Sequence, residues 1–231
     1  MAVTMADISH LRKMSGAGMM DCKKALEEAG NDFDKAMEII RKKGQAVAAK
    51  RSDREASEGC VLAAENAGFA AIVALKCETD FVAKNEQFVA LTQDILNVAM
   101  SVKPETVEAL LASPLADGRA IQEHITDRVG VTGEKMELGF YQFVNGASSV
   151  SYIHPGNKLA TIVAFNEAVD HTVARDVAMQ VAAMNPVAVR AEEVPQNVID
   201  TEMEIARDKA RQSGKPENLL DRIAQGALQK Y

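Results

Sequence analysis

The three cysteines of this 231-residue chain, Cys22, Cys60 and Cys77, are too few and too scattered for a disulfide framework, and no CxxC pair is present to begin a zinc site. Reduced thiols are the expectation, with Cys77 in the core because it closes an apolar run. No apolar run approaches the roughly 20 residues that a bilayer span requires. The opening MAVTMADISHLRK lacks the apolar h-region of a signal peptide, so the expected location is the cytoplasm, away from any membrane. Positive charge is also in deficit. A formal net charge of -7 repels phosphate backbones within a Debye length, which argues against direct nucleic-acid binding over a broad surface. The deficit is uneven: residues 1–54 hold 11 Lys and Arg against 8 Asp and Glu, while the remainder holds 15 against 25. Most of the basic excess lies in residues 41–54, read as a linker.

Signatures of chemistry are equally scarce. GAGMMD, residues 16–21, holds the first half of GxGxxG, but Asp21 occupies the third glycine position and a helical pattern precedes it where a strand is needed. GxxxxGK[ST], HExxH and GxSxG do not occur. His10, His124, His154 and His171 stand apart, so a catalytic site would have to be assembled by the fold, for example from Cys22 with a distant histidine or around His154. No cofactor, metal site or covalent chemistry is expected.

What the chain does have is 47% hydrophobic residues in clear periodic patterns, enough for a proper core. Ile8, Leu11 and Met14, then residues 20–29, then Phe33, Ala36, Met37 and Ile40 read as three short helices, with Gly44 as the stop signal of the third. This predicts a three-helix module over residues 1–45 and a basic linker over 46–58. Residues 60–64 and 69–77 then read as a hairpin around Asn66, Ala67 and Gly68, with Phe69, Ala71, Val73, Leu75 and Cys77 on one face. Phe88, Leu91, Ile95 and Val98 recur at helical spacing, and shorter helical stretches follow near 105–112 and 120–129. Strands are expected at 135–144, 148–154 and 159–166, followed by a helix capped by Asp170 and ended by Pro186. After Pro195 two polar helices around Gly214, Lys215 and Pro216 make an αα-hairpin. The fold class is therefore α+β.

Five stretches carry a specific resemblance: SGAGMMDCKKALEEAGNDFDKAME (15–38), CETDFVAKNEQF (77–88), YIHPGNKLATIVAF (152–165), VAAMNP (181–186) and SGKPENLLDRIAQG (213–226). In this order and spacing they resemble the bacterial elongation factor Ts family, the guanine nucleotide exchange factors of elongation factor Tu, over essentially the whole chain. The resemblance implies a ubiquitin-associated-like three-helix domain at 1–45, a core N-terminal subdomain at 59–144, a core C-terminal subdomain at 145–188, and a helical hairpin at 189–231. Two departures stand out. The family's Gly-Arg-Leu reads Gly226-Ala227-Leu228 here, and the sequence ends at Tyr231 where family members continue. The expectation is a chain lacking the usual C-terminal region, with an incomplete second core subdomain and a truncated return to the core. In the other departure, Asn157-Lys158 replaces a Gly-Gly-Arg-like turn while keeping turn chemistry and one positive charge.

Local chemistry and family resemblance give different roles to the same residues. Spacing alone makes Thr79 or Asp80 a helix N-cap and folds Phe81 down as a hydrophobic staple. The resemblance instead makes Thr79, Asp80, Phe81 and Val82 a loop that enters elongation factor Tu beside its Mg2+ and phosphate site and dislocates the ion. Met19 and Met20 begin a helix, so one of them is expected in the small core. The resemblance implies that this turn docks on the partner, with Lys23 at the rim. Leu11 is expected in the core. His154 either solvates a hairpin tip or, as the resemblance implies, faces the partner. The implied partner is elongation factor Tu, GDP-bound and nucleotide-free, in assemblies that include a homodimer and a heterotetramer with it. The competing reading is a ribosome- or RNA-associated adaptor that uses the basic 41–54 segment.

Overall fold

The computed structural model describes residues 2–229. Thr4 opens helix α1 (Met5–Ser15) with a reciprocal capping box, in which its Oγ1 accepts from the Asp7 amide and its own amide donates to the Asp7 carboxylate at 2.9 Å. Helices α2 (Met19–Glu28) and α3 (Phe33–Arg51) follow, and Asp32 caps α3 by accepting from the Lys35 amide. Ile8, Leu11, Cys22, Ala25, Leu26 and Ala36 close a small core among these helices, with Phe33, Met37 and Ile40 at its edge. Leu11 is fully buried. Cys22 is too: its Sγ lies 3.7 Å from both Ser15 Oγ and the Ala17 carbonyl, so it packs as a small apolar side chain with no histidine among its hydrogen-bond partners.

The third helix does not stop at Gly44. It continues to Arg51, which absorbs the first half of the stretch read as a linker. Gly44 is buried where α3 crosses a later helix at Gly130, and a Cβ built on Gly130 would lie 2.5 Å from the Gly44 Cα. The glycine that reads locally as a stop is a close-approach point between two helices.

Strands β1 (Glu58–Asn66) and β2 (Phe69–Cys77) form an antiparallel hairpin joined by Ala67 and Gly68, both at positive φ as a two-residue turn of the primed type requires. Helices α4 (Asp80–Ala83), α5 (Glu86–Val102), α6 (Val107–Ala112) and α7 (Ile121–Thr132) lead to β3 (Met136–Asn145). Strand β3 pairs antiparallel with β2, which places β2 at the centre of a three-stranded sheet. Phe69, Ala71, Val73, Leu75 and Cys77 pack with Phe88, Leu91 and Ile95 of α5 and with Ile121, Ile125 and Val129 of α7. Each fully buried Phe, Leu or Ile of this cluster contributes about 1.5–3 kcal/mol from burial.

Ala70 and Ile72, on the opposite face of β2, are buried as well. On that side lie β4 (Ser148–Ile153) and β5 (Ala160–Phe165), a separate antiparallel pair in contact with β1 and β2. Helix α8 (His171–Met184) is capped by Asp170, which accepts from the Thr172 amide at 2.9 Å, and it lays Ala174 and Ala178 over Val150. The architecture is α+β.

The chain divides into two compact units between Ala183 and Met184. In the second unit, α9 (Gln196–Gln212) and α10 (Leu220–Leu228) run as a hairpin around Gly214, with Ala210, Leu220 and Ala224 buried. Gly214, at φ 72°, ends α9 in a Schellman turn in which the Lys215 amide reaches back to the Ala210 carbonyl at 3.1 Å. Arg207 pairs with Asp221 at 2.6 Å and Arg211 with Glu217 at 2.8 Å. The expected truncated return to the core falls on Lys230 and Tyr231, outside the described residues.

Candidate partner-binding site

Beyond Cys77 the central strand gives way to a single turn of helix, α4, and its four residues divide cleanly. Ala83 is buried and Val82 packs partly against the core, whereas Phe81 is 83% exposed. The staple expected from spacing therefore does not form: the ring stands out in solvent. Asp80 pairs with Lys84 one turn on, at 2.7 Å, and that ammonium holds the Asp80 carboxyl below its usual range, with a smaller contribution from Lys158. Thr79 occupies the N-cap position but does not cap the helix with its side chain. Its hydroxyl donates to Glu134 Oε1 at 2.6 Å, and its amide donates to Glu134 Oε2 at 3.0 Å. Glu78, just before it, accepts from the Lys135 amide at 2.7 Å and pairs with Arg54 at 3.3 Å and Arg51 at 3.6 Å. The Lys135 amide, followed by the two arginines, holds the Glu78 carboxyl below its ordinary value. Burial pushes the Cys77 thiol up to about 12, with Glu134 adding to the rise, so it is no nucleophile at neutral pH.

The tip of the β4–β5 hairpin shares this end of the sheet. Lys158 pairs with Glu58 at 2.8 Å, and the Val61 amide donates to the Asn157 carbonyl at 2.7 Å. His154 is exposed at the tip and its Nδ1 lies 2.9 Å from the Tyr152 hydroxyl. Asp80, His154 and Lys158 thus belong to one neighbourhood. Met19 and Met20 stand elsewhere, on α2, at 47% and 62% exposure. Neither enters the small core, which Cys22, Ala25 and Leu26 fill from the next turn of the same helix. Lys23 beside them is exposed and reaches Glu27 at 3.8 Å. Among the described residues no hydrogen bond or ion pair links α2 to α4.

Four of the six basic residues of the 41–54 segment are engaged in ion pairs, which reduces the charge it offers a phosphate backbone. Lys42 pairs with Glu38, Lys43 with Asp21, and Arg51 and Arg54 with Glu78. Asp117, Arg119, His124 and Asp127 form a second polar cluster, joined by contacts of 2.7 to 3.0 Å. No group of three or more His, Cys, Asp or Glu side chains suited to a metal ion occurs among the described residues, and no helix among them is long and apolar enough to cross a membrane.

Comparison with known proteins decides the family. The model of the family described as Elongation factor TS matches residues 78–231, beginning at the glutamate of the loop described above. An elongation factor Ts of Porphyromonas gingivalis is 75% identical over 231 residues, all of this chain and 84% of the relative. The chain belongs to the elongation factor Ts family. Relatives of the same name from Azobacteroides pseudotrichonymphae and Phocaeicola vulgatus are each 57% identical across the whole chain, which spans 84% and 68% of their lengths.

For an elongation factor Ts chain, the residues that sequence reasoning missed are those that hold the loop rather than those that form it. Glu134 meets Thr79 across 55 positions, and Glu78 meets Lys135 across 57. No periodicity or motif pairs residues at such separations. The one local hint is Thr79 itself, a capping residue type placed before a helix too short to stand alone.

Proposed function

We propose that this chain binds elongation factor Tu carrying GDP and promotes release of the nucleotide, after which GTP rebinds. In this reading Thr79, Asp80, Phe81 and Val82 form the loop that enters near the partner's Mg2+ and phosphate site. Phe81 pushes between partner elements and Asp80 hydrogen-bonds there. The observation that carries the reading is the 83% exposure of Phe81 on a turn whose flanks are anchored. A large ring left in solvent forgoes the burial that every other phenylalanine-sized side chain in a core uses, and a rigid mount makes it useful only against another surface.

Such a factor needs no covalent step. It accelerates release by binding the nucleotide-free partner more tightly than the nucleotide-bound one, so its own binding energy offsets the phosphate and ion contacts being lost. This accounts for a sequence without acid, base, nucleophile or cofactor signature. The three-helix domain, expected at 1–45 and with its third helix running on to Arg51, supplies a second contact through the exposed Met19 and Met20, flexible side chains suited to such a surface, with Lys23 at its rim. His154 supplies a third from the core C-terminal subdomain at 145–188, which stands beside the N-terminal subdomain at 59–144. The helical hairpin at 189–231 completes the division. The partner in this reading is elongation factor Tu in the cytoplasm, with a homodimer of this chain and a heterotetramer as the assemblies. The ion pairs of Lys42, Lys43, Arg51 and Arg54 count against the RNA-adaptor alternative.

The test is release of fluorescent GDP from preloaded elongation factor Tu. The expected result is acceleration by the wild-type chain and its loss in Phe81→Ala, with a weaker effect in Asp80→Ala. Unfolding stability of Phe81→Ala should stay within about 0.5 kcal/mol of wild type, because the exposed ring touches little of the core. Equal acceleration by wild type and Phe81→Ala removes the loop from the mechanism. No acceleration by either removes the exchange reading.

A further inference from the structure

We propose that Glu134, crossed with Glu78, is the positioning residue that aims the Asp80–Phe81 turn, an inference that rests on the exchange reading above. The two glutamates and the residues that follow them bond crosswise. Thr79 gives its hydroxyl and its amide to the two oxygens of Glu134, at 2.6 and 3.0 Å, while the Lys135 amide goes to Glu78 at 2.7 Å. The other oxygen of Glu78 faces Arg51, the last residue of α3, and Arg54 just beyond it, which offsets the charge of the paired carboxylates.

The crossing matters because α4 cannot orient itself. Four residues are fewer than a helix nucleus can sustain, so the direction of Phe81 depends on what holds the turn at its two ends. Val82 and Ala83 hold the far end by packing. At the near end Thr79 forgoes the local use of its hydroxyl, capping α4, for a bond to a residue 55 positions away. Glu134 is itself well placed to resist movement. It follows Gly133, the left-handed cap of α7, its amide donates to Thr132 Oγ1 at 3.2 Å, and α7 is buried through Ile125 and Val129. Removing the carboxylate lets the Thr79 side chain rotate back to its capping role and leaves the loop free to pivot at Glu78 and Thr79.

The chain has no tryptophan, so Phe81→Trp places a single indole at the tip. Time-resolved anisotropy of that indole, with and without Glu134→Ala, reads the mobility of the turn. Release of fluorescent GDP from elongation factor Tu, measured in the Phe81 background, reads its consequence. Glu134→Ala is expected to enlarge the nanosecond depolarisation and to slow release roughly tenfold, the worth of one charge-assisted hydrogen bond expressed as a rate. Glu134→Gln keeps an acceptor and recovers part of the rate. Added to Phe81→Ala, Glu134→Ala changes release less than about twofold, because it acts through the ring.

Unchanged depolarisation overturns the proposal. So does release by Glu134→Ala within about twofold of wild type while Phe81→Ala is slow, or an undiminished further loss in the double variant. If Phe81→Ala alone releases GDP at the wild-type rate, the exchange role of the loop fails instead, and the anisotropy by itself judges the clamp. Should Glu134→Ala not fold, Thr79→Val removes only the hydroxyl bond and carries the same expectations and the same refutation.

Discussion

Gly44 and Gly130 face each other at the crossing of α3 and α7, but they are not equivalent. A Cβ on Gly130 would meet the Gly44 Cα at 2.5 Å, a contact with backbone that cannot rotate away, whereas a Cβ on Gly44 would sit at an ordinary 3.5 Å from Gly130. Gly130→Ala is therefore expected to cost about 1–3 kcal/mol as the helices are forced apart. Gly44→Ala should be neutral or favourable by up to about 1 kcal/mol, from helix propensity alone. Urea unfolding followed by circular dichroism checks both, and equal losses would contradict the asymmetry. Phe81 shows the same principle on the surface. Its neighbours in sequence are apolar or capping types, so local chemistry turns it inward, yet the ring has nowhere to pack once Val82 and Ala83 take the contact with the core.

At the level of elements, the end of α3, the end of β2 and the start of β3 converge on one carboxylate. Glu78 accepts from the Lys135 amide and from Arg54 and pairs with Arg51 at 3.6 Å, and its folded-state carboxyl lies below the ordinary 4.5. The sign follows from linkage: the stabilisation is complete above the unfolded-state value and is lost as pH falls through the lowered folded-state value. Stability should therefore decline on acidification below about pH 4.5, and Glu78→Gln, which cannot ionise, should show a shallower decline. Unfolding curves across that range, compared between the two proteins, decide it; superimposable pH profiles would remove Glu78 as a contributor. The same convergence explains why α3 outruns its apparent stop. Its last residue, Arg51, meets the carboxylate of Glu78 there, and Arg54, just past the helix end, joins the same carboxylate.

Across the whole molecule, the stretch after α8 differs from what surrounds it. Between Asn185 and Pro195 a single 3-10 turn (Ala191–Glu193) is present, no side chain is buried, and Val189 is 93% exposed. Native-state proteolysis selects such backbone, because opening it disturbs few contacts. Trypsin at low concentration is expected to cut first after Arg190, yielding a large fragment that retains the sheet and a small one that carries α9 and α10. A first cut within residues 2–183, identified by mass spectrometry, would overturn that expectation.

The sequence by itself determined the kinds of elements and nearly all their places, since those depend on contacts a few residues apart: the apolar period of α5, the Asp170 cap of α8, the positive-φ turn between β1 and β2, the Gly214 reversal. It also determined the family, through motifs too long and too ordered to coincide by chance. Only the tertiary structure decided which way particular residues face and what holds them. Gly44 reads as a stop until Gly130 arrives across it, one of Met19 and Met20 reads as core until Cys22, Ala25 and Leu26 fill that space, and Thr79 reads as a cap until Glu134 takes its hydroxyl. In each case the deciding partner is supplied by packing, which no local pattern records.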